Sequence, residues 1–582
     1  MKVIGINAFH GDSSACLFVD GEMLAAAEEE RFTRIKHWAG FPKSSIEYCL
    51  NSQKIKLSDI DVFAINTDPN AARFKKIRYV LSGQSSIKLI TEKLATRKKR
   101  TSLEEHIQAA FPEQNFVGKV EYIEHHLAHL ASAYFVAPFE EAAVVSVDGF
   151  GDFASAAWGA GEKQNLDLQN RVYFPHSLGI FYQALTQFLG FPHYGDEYKV
   201  MGLAPYGKPV FRDEMDQILK KKTAGFFELN LKYFQHHKKP IGYEWDGDSP
   251  KTSQLFSEEL NDLLGAARQS DAKLEQRHYD IASSIQDVYE RTFFHILNHL
   301  HQVTQTENLC IAGGCGMNSV ANGKVHLQTP FKNIYVQSAA GDAGGAIGAA
   351  LVANQRAEQT NLFSMNHAYW GPRFTDAELK SVLEKHDSKL QELGCVVSFD
   401  QELTNLVDIV SDKIIQGNVI GWFQGAMEWG PRALGNRSIL GDPRRKDMKD
   451  ILNLKIKRRE SFRPFAPSVL RDHVATWFES DADVPFMMKV FQIKKEQRDK
   501  IPAVTHVDGS GRLQTVTNKS NKAYYELINA FYQKTQVPML LNTSFNENEP
   551  VVCQPHEAID CFFRTDMDVL VLGSHIVFRK ES

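Results

Sequence analysis

Two histidines and two aspartates have the types and spacing of metal ligands. His125 and His129 stand four apart in IEHHLAHLASAYFVAP, a helix-compatible stretch that Pro138 ends, so both imidazoles project from one face. A satisfied pair of surface or core histidines has the same spacing, but Asp148 at the end of the next strand and Asp342 in a later Gly-rich loop favour a metal. This set suits Fe(II), Mn(II) or Zn(II) better than Ca(II), which prefers oxygen alone.

A third histidine, His10, follows the first strand in the sequence FHGDSS. An imidazole titrates near neutral pH, so His10 is a candidate general acid or base. The alternative is a turn histidine that hydrogen-bonds its own loop. His126, between the two candidate metal ligands, points away from them and is expected to have a supporting or structural role.

Basic residues cluster around Gly and Pro turns in GPRALGNRSILGDPR, from Gly430, and KIKRRESFRPFAP, from Lys455. Guanidinium and ammonium groups bind carboxylate or phosphate oxygens, and AVTHVDGSGRLQTV and LLNTSFN add imidazole, hydroxyl and amide groups. These segments predict an anionic-substrate pocket with the candidate residues Arg432, Arg437, Lys457, Arg463, His506, Arg512, Asn542, Thr543 and Ser544. The basic runs at 97–100 and 220–222 are instead expected to be solvated surface.

The elements that must position these residues are strands and helices of an α/β protein. Residues 2–29 read as a strand, a polar turn, a second strand, a turn at Asp20-Gly21 and a third strand, and a similar stretch begins at Ala142. Two similar halves are therefore expected. Two units of strand, Gly-rich loop and helix begin at Asn308 and Asn333. Loops of this kind before a helix favour binding of nucleotide phosphates. A plain tight turn would explain either loop taken alone.

A second domain is expected after a polar, non-periodic stretch. It has amphipathic helical patterns at 376–385 and 403–415, and apolar strand patterns at 419–423 and from Val537. The predicted organisation is a first domain at 1–355, a linker at 356–368 and a second domain at 369–582.

Composition excludes several classes of protein. The 582 residues exceed the size of one domain, and the hydrophobic, aromatic and charged fractions of 43%, 11% and 24% are those of a folded globular chain. A net charge of -5 gives no global attraction to nucleic acid or to a membrane. Seven cysteines without a CxxC pair, no apolar run of spanning length and no signal-peptide pattern predict a cytoplasmic protein.

Across essentially the whole chain, motifs in a fixed order resemble those of the NodU/CmcH-type O-carbamoyltransferases. These motifs are AEEERFTRIKH, EHHLAHLASA, VVSVDGFGD, KVMGLAPYG, AGGCGMNSVANG, GDAGGAIGAA, GPRALGNRSIL, ESFRPFAPSVL, THVDGSGRLQTV and NTSFN. The resemblance implies a duplicated actin/sugar-kinase-like (ASKHA) domain followed by a YrdC-like α/β domain. It also implies a reaction in two steps. Carbamoyl phosphate and ATP, with Mg, give carbamoyladenylate in the second domain, and the carbamoyl group passes through an internal channel to an acceptor hydroxyl in the first.

The resemblance also implies roles for individual residues. His125, His129, Asp148 and Asp342 match the family's Fe(II) ligands, and His10 its catalytic histidine. The residues implied for carbamoyl phosphate activation are Arg432, Lys457 and Arg512. The residue types around them, as above, add Arg437, Arg463, His506, Asn542, Thr543 and Ser544 to the expected pocket. In the first domain, the residues expected to hold the nucleotide are Asp12, Lys199, Gly313, Gly314 and Asn318.

Other functions are open alternatives. A hydrogenase-maturation carbamoyltransferase would carry CxxC zinc sites and the opposite domain order, and a tRNA threonylcarbamoyl-transfer enzyme would show a basic face. A sugar or carboxylate kinase needs no second domain of this kind, and a catalytically silent binding protein would have lost ligands. The sequence does not select the acceptor among natural products, antibiotics, toxins and sugars. The basic segment at 71–100 is expected to shape the acceptor site or a homodimer contact.

Overall fold

The computed structural model describes residues 1–81, 102–245, 249–358, 364–457 and 462–579. The chain divides into two compact units, Met1–Met365 and Asn366–Ser582. This division falls within the stretch that the sequence suggested as a linker. The basic run at 97–100 and most of the segment at 71–100 lie outside the described residues.

The first unit contains two five-stranded sheets with the same strand order. In each, three consecutive strands form antiparallel hairpins, and two later strands add in parallel beside the first of the three. The predicted two similar halves are confirmed. From edge to edge the first sheet runs Glu22–Glu28, Ser14–Val19, Lys2–Asn7, Val62–Ile65, Lys119–Tyr122. The second runs Asn165–Tyr173, Ala154–Glu162, Glu141–Gly151, Asn308–Ala312, Asn333–Val336.

Helices cover these sheets, and two short hairpins lie outside them. The strands of the hairpins are Leu219–Lys221 with Phe227–Leu229, and Tyr243–Glu244 with Lys251–Thr252. The α-helices are Glu30–Thr33, Lys43–Ser52, Arg73–Leu81, Leu103–Ala110, His125–Tyr134, Leu178–Phe188, Glu197–Leu203, Arg212–Ile218, Glu259–Leu264, Gln276–Thr304, Ser319–Gln328 and Gly345–Arg356.

Two small-residue helices meet between the sheets. A Cβ on Gly348 would lie 1.7 Å from the backbone oxygen of Ala128, so glycine lets the helix Gly345–Arg356 pack directly on the helix His125–Tyr134. The helix His125–Tyr134 carries two of the candidate metal ligands, so this contact fixes the position of those ligands. The helix ends at Tyr134, four residues before the proline that the sequence suggested as its end.

The second unit is built on one mixed nine-stranded sheet. In spatial order its strands are Val396–Phe399, His575–Phe578, Val569–Leu572, Ile420–Phe423, Arg437–Gly441, Met539–Ser544, Ala466–Leu470, Ser510–Val516 and Lys489–Gln492. Its α-helices are Asp376–Lys385, Asp387–Glu392, Leu403–Ile415, Met448–Leu452, Val474–Trp477, Lys522–Thr535 and Pro555–Arg564. One apolar core, which includes Trp422, Tyr524 and Leu540, packs between the sheet and these helices.

The predicted α/β class is confirmed in both units. The helices at 376–385 and 403–415 begin and end where the periodicity indicated, and the apolar strands at 420–423 and 539–544 are formed. None of the helices in the described ranges combines the length and the apolar character needed to cross a bilayer.

Candidate active site

The helix His125–Tyr134 starts at two carboxylates. The side chain of its N-cap, Glu124, accepts a hydrogen bond from the backbone N–H of Leu127 at 2.9 Å. The carboxylate of Asp152 accepts one from the backbone N–H of His125, also at 2.9 Å. Both carboxylates therefore satisfy N–H groups that have no partner inside the helix, and they fix the position of its first turn.

Four side chains converge beside this helix. Nε2 of His125 lies 3.1 Å from Oδ2 of Asp148 and 3.5 Å from Oδ1 of Asp342. Nε2 of His129 lies 3.5 Å from each of the same two oxygens, and the two Nε2 atoms are 3.0 Å apart. The structure thus brings together the four predicted ligands from a helix, a strand and a Gly-rich turn.

The geometry of this cluster fits a divalent metal ion. Ligand atoms about 2.1 Å from one ion at tetrahedral angles lie about 3.4 Å from each other. The separations between the nitrogens and the carboxylate oxygens are 3.1–3.5 Å. The Nδ1 atoms of His125 and His129 are buried without a hydrogen-bond partner among the described residues, so the polar contacts of both rings are made through Nε2. Imidazole nitrogens with carboxylate oxygens form a donor set for Fe(II), Mn(II) or Zn(II).

Electrostatics in the cluster favour a bound cation. Burial alone would lower the pKa of His125, but the hydrogen bond to Asp148 and the charge of Asp342 raise it to about 10. Burial raises the pKa of Asp148, yet its hydrogen bonds to the two histidines hold that pKa well below its usual range. Burial and the charge of Asp148 raise the pKa of Asp342. The two carboxylates repel each other, and without a metal ion the protonated ring of His125 balances their charge, so a divalent cation would take the place of that proton.

Two glycines make room for the ligands. A Cβ on Gly151 would lie 2.0 Å from two ring carbons of His125. A Cβ on Gly314 would lie 2.8 Å from Oδ1 of Asp148, whereas the backbone N–H of Gly314 donates to that oxygen at 2.9 Å. The imidazole of His125 and the carboxylate of Asp148 can therefore take these positions only because Gly151 and Gly314 have no side chains.

His126 holds the helix to the strand behind it. Its Nδ1 lies 3.0 Å from Oγ of Ser146, and the ring is fully buried. Burial lowers the pKa of His126 to about 4, so the ring is neutral at physiological pH. His126 lies outside the cluster of four candidate ligands.

His10 and Asp12 lie in a tight turn beside the cluster. The ring centroids of His10 and His125 are 5.9 Å apart. Phe9 and Asp12 have φ angles of 64° and 60°, so the chain turns sharply on either side of His10. Oδ1 of Asp12 lies 2.6 Å from Nδ1 of His37. His10 is thus near the predicted metal, while the role of Asp12 in nucleotide binding stays a prediction.

The other candidate nucleotide ligands lie around the same strand end. Gly313, with a φ of 85°, and Gly314 form the turn after the strand Asn308–Ala312, and the side chain of Asn318 accepts a backbone hydrogen bond at 3.0 Å as the N-cap of the next helix. Nζ of Lys199 lies 2.8 Å from the carboxylate of Asp196. Their contacts with a nucleotide stay predictions.

In the second unit, one face of the sheet gathers part of the predicted anion pocket. Nδ2 of Asn542 donates to Oε1 of Gln514 at 3.2 Å, so these side chains share a face. Side chains alternate along a strand, so Arg512, two residues before Gln514, and Ser544, two after Asn542, project to that face. Nζ of Lys457 donates to the backbone oxygen of Ser544 at 2.6 Å.

Lys457 is a buried cation held by neutral oxygen atoms. Besides Ser544, its Nζ donates to the backbone oxygen of Asn546 at 2.7 Å and to its side-chain oxygen at 2.6 Å. The lysine is 2% exposed. An ammonium group has three N–H donors, so a substrate oxygen could bind Lys457 only by replacing one of these acceptors.

Three further predicted residues lie near this face. The backbone oxygens of Ala433 and Leu434 accept hydrogen bonds from Asn542 and Gln514 at 3.1 and 2.8 Å, so the loop that carries Arg432 covers the face. Burial and the charge of Arg512 contribute to lowering the pKa of His506 to about 4. Arg463 is half-buried in the loop before the strand Ala466–Leu470, which adjoins the strands of Asn542 and Arg512.

Arg437 and Thr543 depart from the predicted pocket. Ser438 pairs with Ser544 across two strands, so their neighbours Arg437 and Thr543 project to the opposite face. The guanidinium of Arg437 donates to backbone oxygens at 2.6 and 2.9 Å and lies 3.7 Å from the ring centroid of Phe423. These contacts support a structural role for Arg437, and its predicted role in the pocket stays untested.

Several residues of the site were not identified from the sequence. Asp152 and Glu124 cap the helix that carries the candidate metal ligands, His37 pairs with Asp12, and Asn546 holds Lys457. Asp152 stands four residues after Asp148 in VDGFGD, so its type and position were visible in the sequence. Spacing alone could not show that it binds backbone N–H groups.

Comparisons with known proteins point to one family. The family described as Carbamoyltransferase N-terminus matches residues 2–351, and Carbamoyltransferase C-terminus matches residues 411–579. Uncharacterized protein sll1178 of Synechocystis is 40% identical over 99% of this chain and 96% of its own length. Nodulation protein NolNO of Sinorhizobium fredii is 36% identical over 99% of this chain and 80% of its own length. A crystal structure of T. kodakarensis HypF is 13% identical over 62% of this chain and 48% of its own, with a TM-score of 0.29, too low to support a conclusion.

Proposed function

The chain belongs to the carbamoyltransferase family, and we propose that it is an ATP-dependent O-carbamoyltransferase acting on a hydroxyl of a small molecule. The observation that carries this proposal is the convergence of one ligand atom each from His125, His129, Asp148 and Asp342 within 4.8 Å of one another, with His10 close by. Such a site suits transfer of a carbonyl group, whereas the second unit, with its cation-lined face, suits activation of an anionic donor.

The first step is assigned to the second unit. Water displaces phosphate from the carbonyl carbon of carbamoyl phosphate, and an oxygen of the resulting carbamate attacks the α-phosphorus of ATP. The bond to pyrophosphate breaks, so the products are carbamoyladenylate, phosphate and pyrophosphate. Arg432, Lys457 and Arg512 bind and neutralise the anionic reactants, which would otherwise repel each other. Mg accompanies ATP in this step.

The second step is assigned to the first unit. The acceptor hydroxyl oxygen attacks the carbonyl carbon of carbamoyladenylate, the bond from that carbon to the AMP oxygen breaks, and a carbamate ester forms. His10 takes the hydroxyl proton as general base. Asp12, Lys199, Gly313, Gly314 and Asn318 hold the nucleotide portion in this proposal.

The four ligands would hold a divalent metal, which we propose to be Fe(II) by family resemblance. When bound, it would supply a Lewis acid that polarises a carbonyl or phosphoryl oxygen. The protein contributes the position of the ligands: Asp152 fixes the first helical turn and Gly151 leaves space for the ring of His125.

The test is the fate of ATP in the presence of carbamoyl phosphate. We expect pyrophosphate release that depends on both substrates, and a product heavier than the acceptor by one HNCO unit in mass spectrometry. The His129→Ala protein should still release pyrophosphate but form no ester. Formation of ADP with a phosphorylated acceptor would replace the proposal by a kinase. Unchanged ATP under all conditions would indicate a silent binding protein.

A further inference from the structure

The helix Arg73–Leu81 of the first unit has apolar side chains in solvent. Phe74 is 89% exposed, Ile77 57% and Leu81 80%, and the helix has no buried residue. The spacings of three and four residues place these three side chains on one face, called here the apolar stripe. Single exposed apolar residues are common on protein surfaces, but three on one face of a short helix form a patch that suits a partner.

The opposite edge of this helix is anchored to the protein. The ring centroid of Tyr79 lies 5.1 Å from that of Phe174 and 5.8 Å from that of Phe153. Nζ of Lys75 lies 5.1 Å from the ring centroid of Tyr173. The helix is therefore held on the surface in a fixed orientation, with the apolar stripe directed away from these contacts.

The helix is also strongly basic. Its sequence RFKKIRYVL contains four basic residues and no acidic one, in a protein with a net charge of -5. Apolar side chains on one face and cations around them are the features of helices that lie in the interface of an anionic bilayer. The long side chains of arginine and lysine reach lipid phosphates while the apolar residues enter the acyl region.

We propose that the helix Arg73–Leu81 docks this protein on an anionic lipid surface through the apolar stripe. Charge favours this partner over a second copy of the chain, because a symmetric contact would bring the basic residues of both copies together. The net charge of the whole protein predicts no attraction to a membrane. However, only charges within about a Debye length of the lipid interact strongly with it, so the basic helix can bind anionic lipid despite the negative net charge. The proposal is independent of the carbamoyl-transfer function.

The experiment measures co-sedimentation with lipid vesicles. The full chain should bind vesicles of phosphatidylcholine mixed with phosphatidylglycerol, and should bind pure phosphatidylcholine vesicles weakly. Phe74→Glu combined with Ile77→Glu should weaken binding to the anionic vesicles by about 100-fold, because two inserted side chains are lost. Arg73→Gln combined with Arg78→Gln should weaken it by about 30-fold and reduce its salt dependence.

A matched control separates the apolar stripe from apolar exposure in general. Leu327 and Val303 are 68% and 51% exposed on other helices, so Leu327→Glu combined with Val303→Glu should leave vesicle binding unchanged. Circular dichroism of each variant checks the fold. The proposal is overturned if the wild-type protein does not bind anionic vesicles, or if the control pair weakens binding as much as the Phe74 and Ile77 pair. The proposal is also overturned if the wild-type protein is a dimer and the Phe74 and Ile77 substitutions make it monomeric without changing vesicle binding. The apolar stripe would then be a subunit contact.

Discussion

A single methyl group at Gly151 should disable the metal site without changing any ligand. A Cβ at this position would lie 2.0 Å from Cγ and Cδ2 of His125 and 2.4 Å from its Nε2. Non-bonded carbon atoms are in favourable contact at about 3.5 Å or more, so the ring would have to move by about 1.5 Å. Metal–ligand distances tolerate only about 0.2 Å. In Gly151→Ala, His125 should therefore cease to be a ligand.

The same strand offers a matched control. A Cβ on Gly149 would meet no atom within 4 Å, so Gly149→Ala adds the same methyl group without a clash. Gly151→Ala should lose metal affinity by at least about 100-fold, as expected for a displaced ligand, and lose about 1–3 kcal/mol of stability through overpacking. Gly149→Ala should match the wild type in metal affinity.

In the assay, a chelator first removes bound metal from each variant, and the protein is then titrated with Fe(II) or Mn(II). Elemental analysis measures the metal bound at each step. Unfolding in urea, followed by circular dichroism, separates loss of metal from loss of fold. If Gly151→Ala binds metal as tightly as Gly149→Ala while both are folded, then the inference that displacing the ring of His125 from this space abolishes metal binding is refuted.

Three further predictions test the catalytic and electrostatic roles. His10→Asn should slow carbamoyl transfer by about 10²- to 10⁴-fold but leave pyrophosphate release intact, and equal loss of both activities would instead indicate a structural turn histidine. Lys457→Ala should form no product from carbamoyl phosphate and ATP, yet added carbamoyladenylate should restore carbamate formation, whereas His129→Ala should not be rescued. Failure to rescue either folded variant would mean that the two residues serve one step. Burial lowers the pKa of His37, but the charge of Asp12 raises it to about 9, so the stability from this pair should be complete below pH 6.5 and lost as pH rises through about 9. Urea unfolding of wild type and His37→Gln should show a difference that shrinks over this range, and a difference independent of pH would contradict the pairing.

Much of the fold and of the metal site is local in origin and could be predicted. The helix 376–385 begins at Thr375, whose side chain caps it, and ends with its periodic pattern. The two histidines of the site face one another because four residues make about one helical turn. The two similar sets of strands could be predicted from the sequence because each hairpin contains its own turn-forming residues. These features depend on neighbours in the sequence, so the sequence by itself determined them.

The tertiary structure decided which distant residues meet. Asp148 and Asp152 are equally plausible ligands by type, but the strand directs one carboxylate to the imidazoles and the turn directs the other to the backbone of the helix. Arg437 and Thr543 belong to pocket-like motifs, yet strand register sends them to the opposite face of the sheet from Ser544. Register and packing depend on contacts between segments far apart in the chain, and a change of one residue in register reverses the face of every side chain.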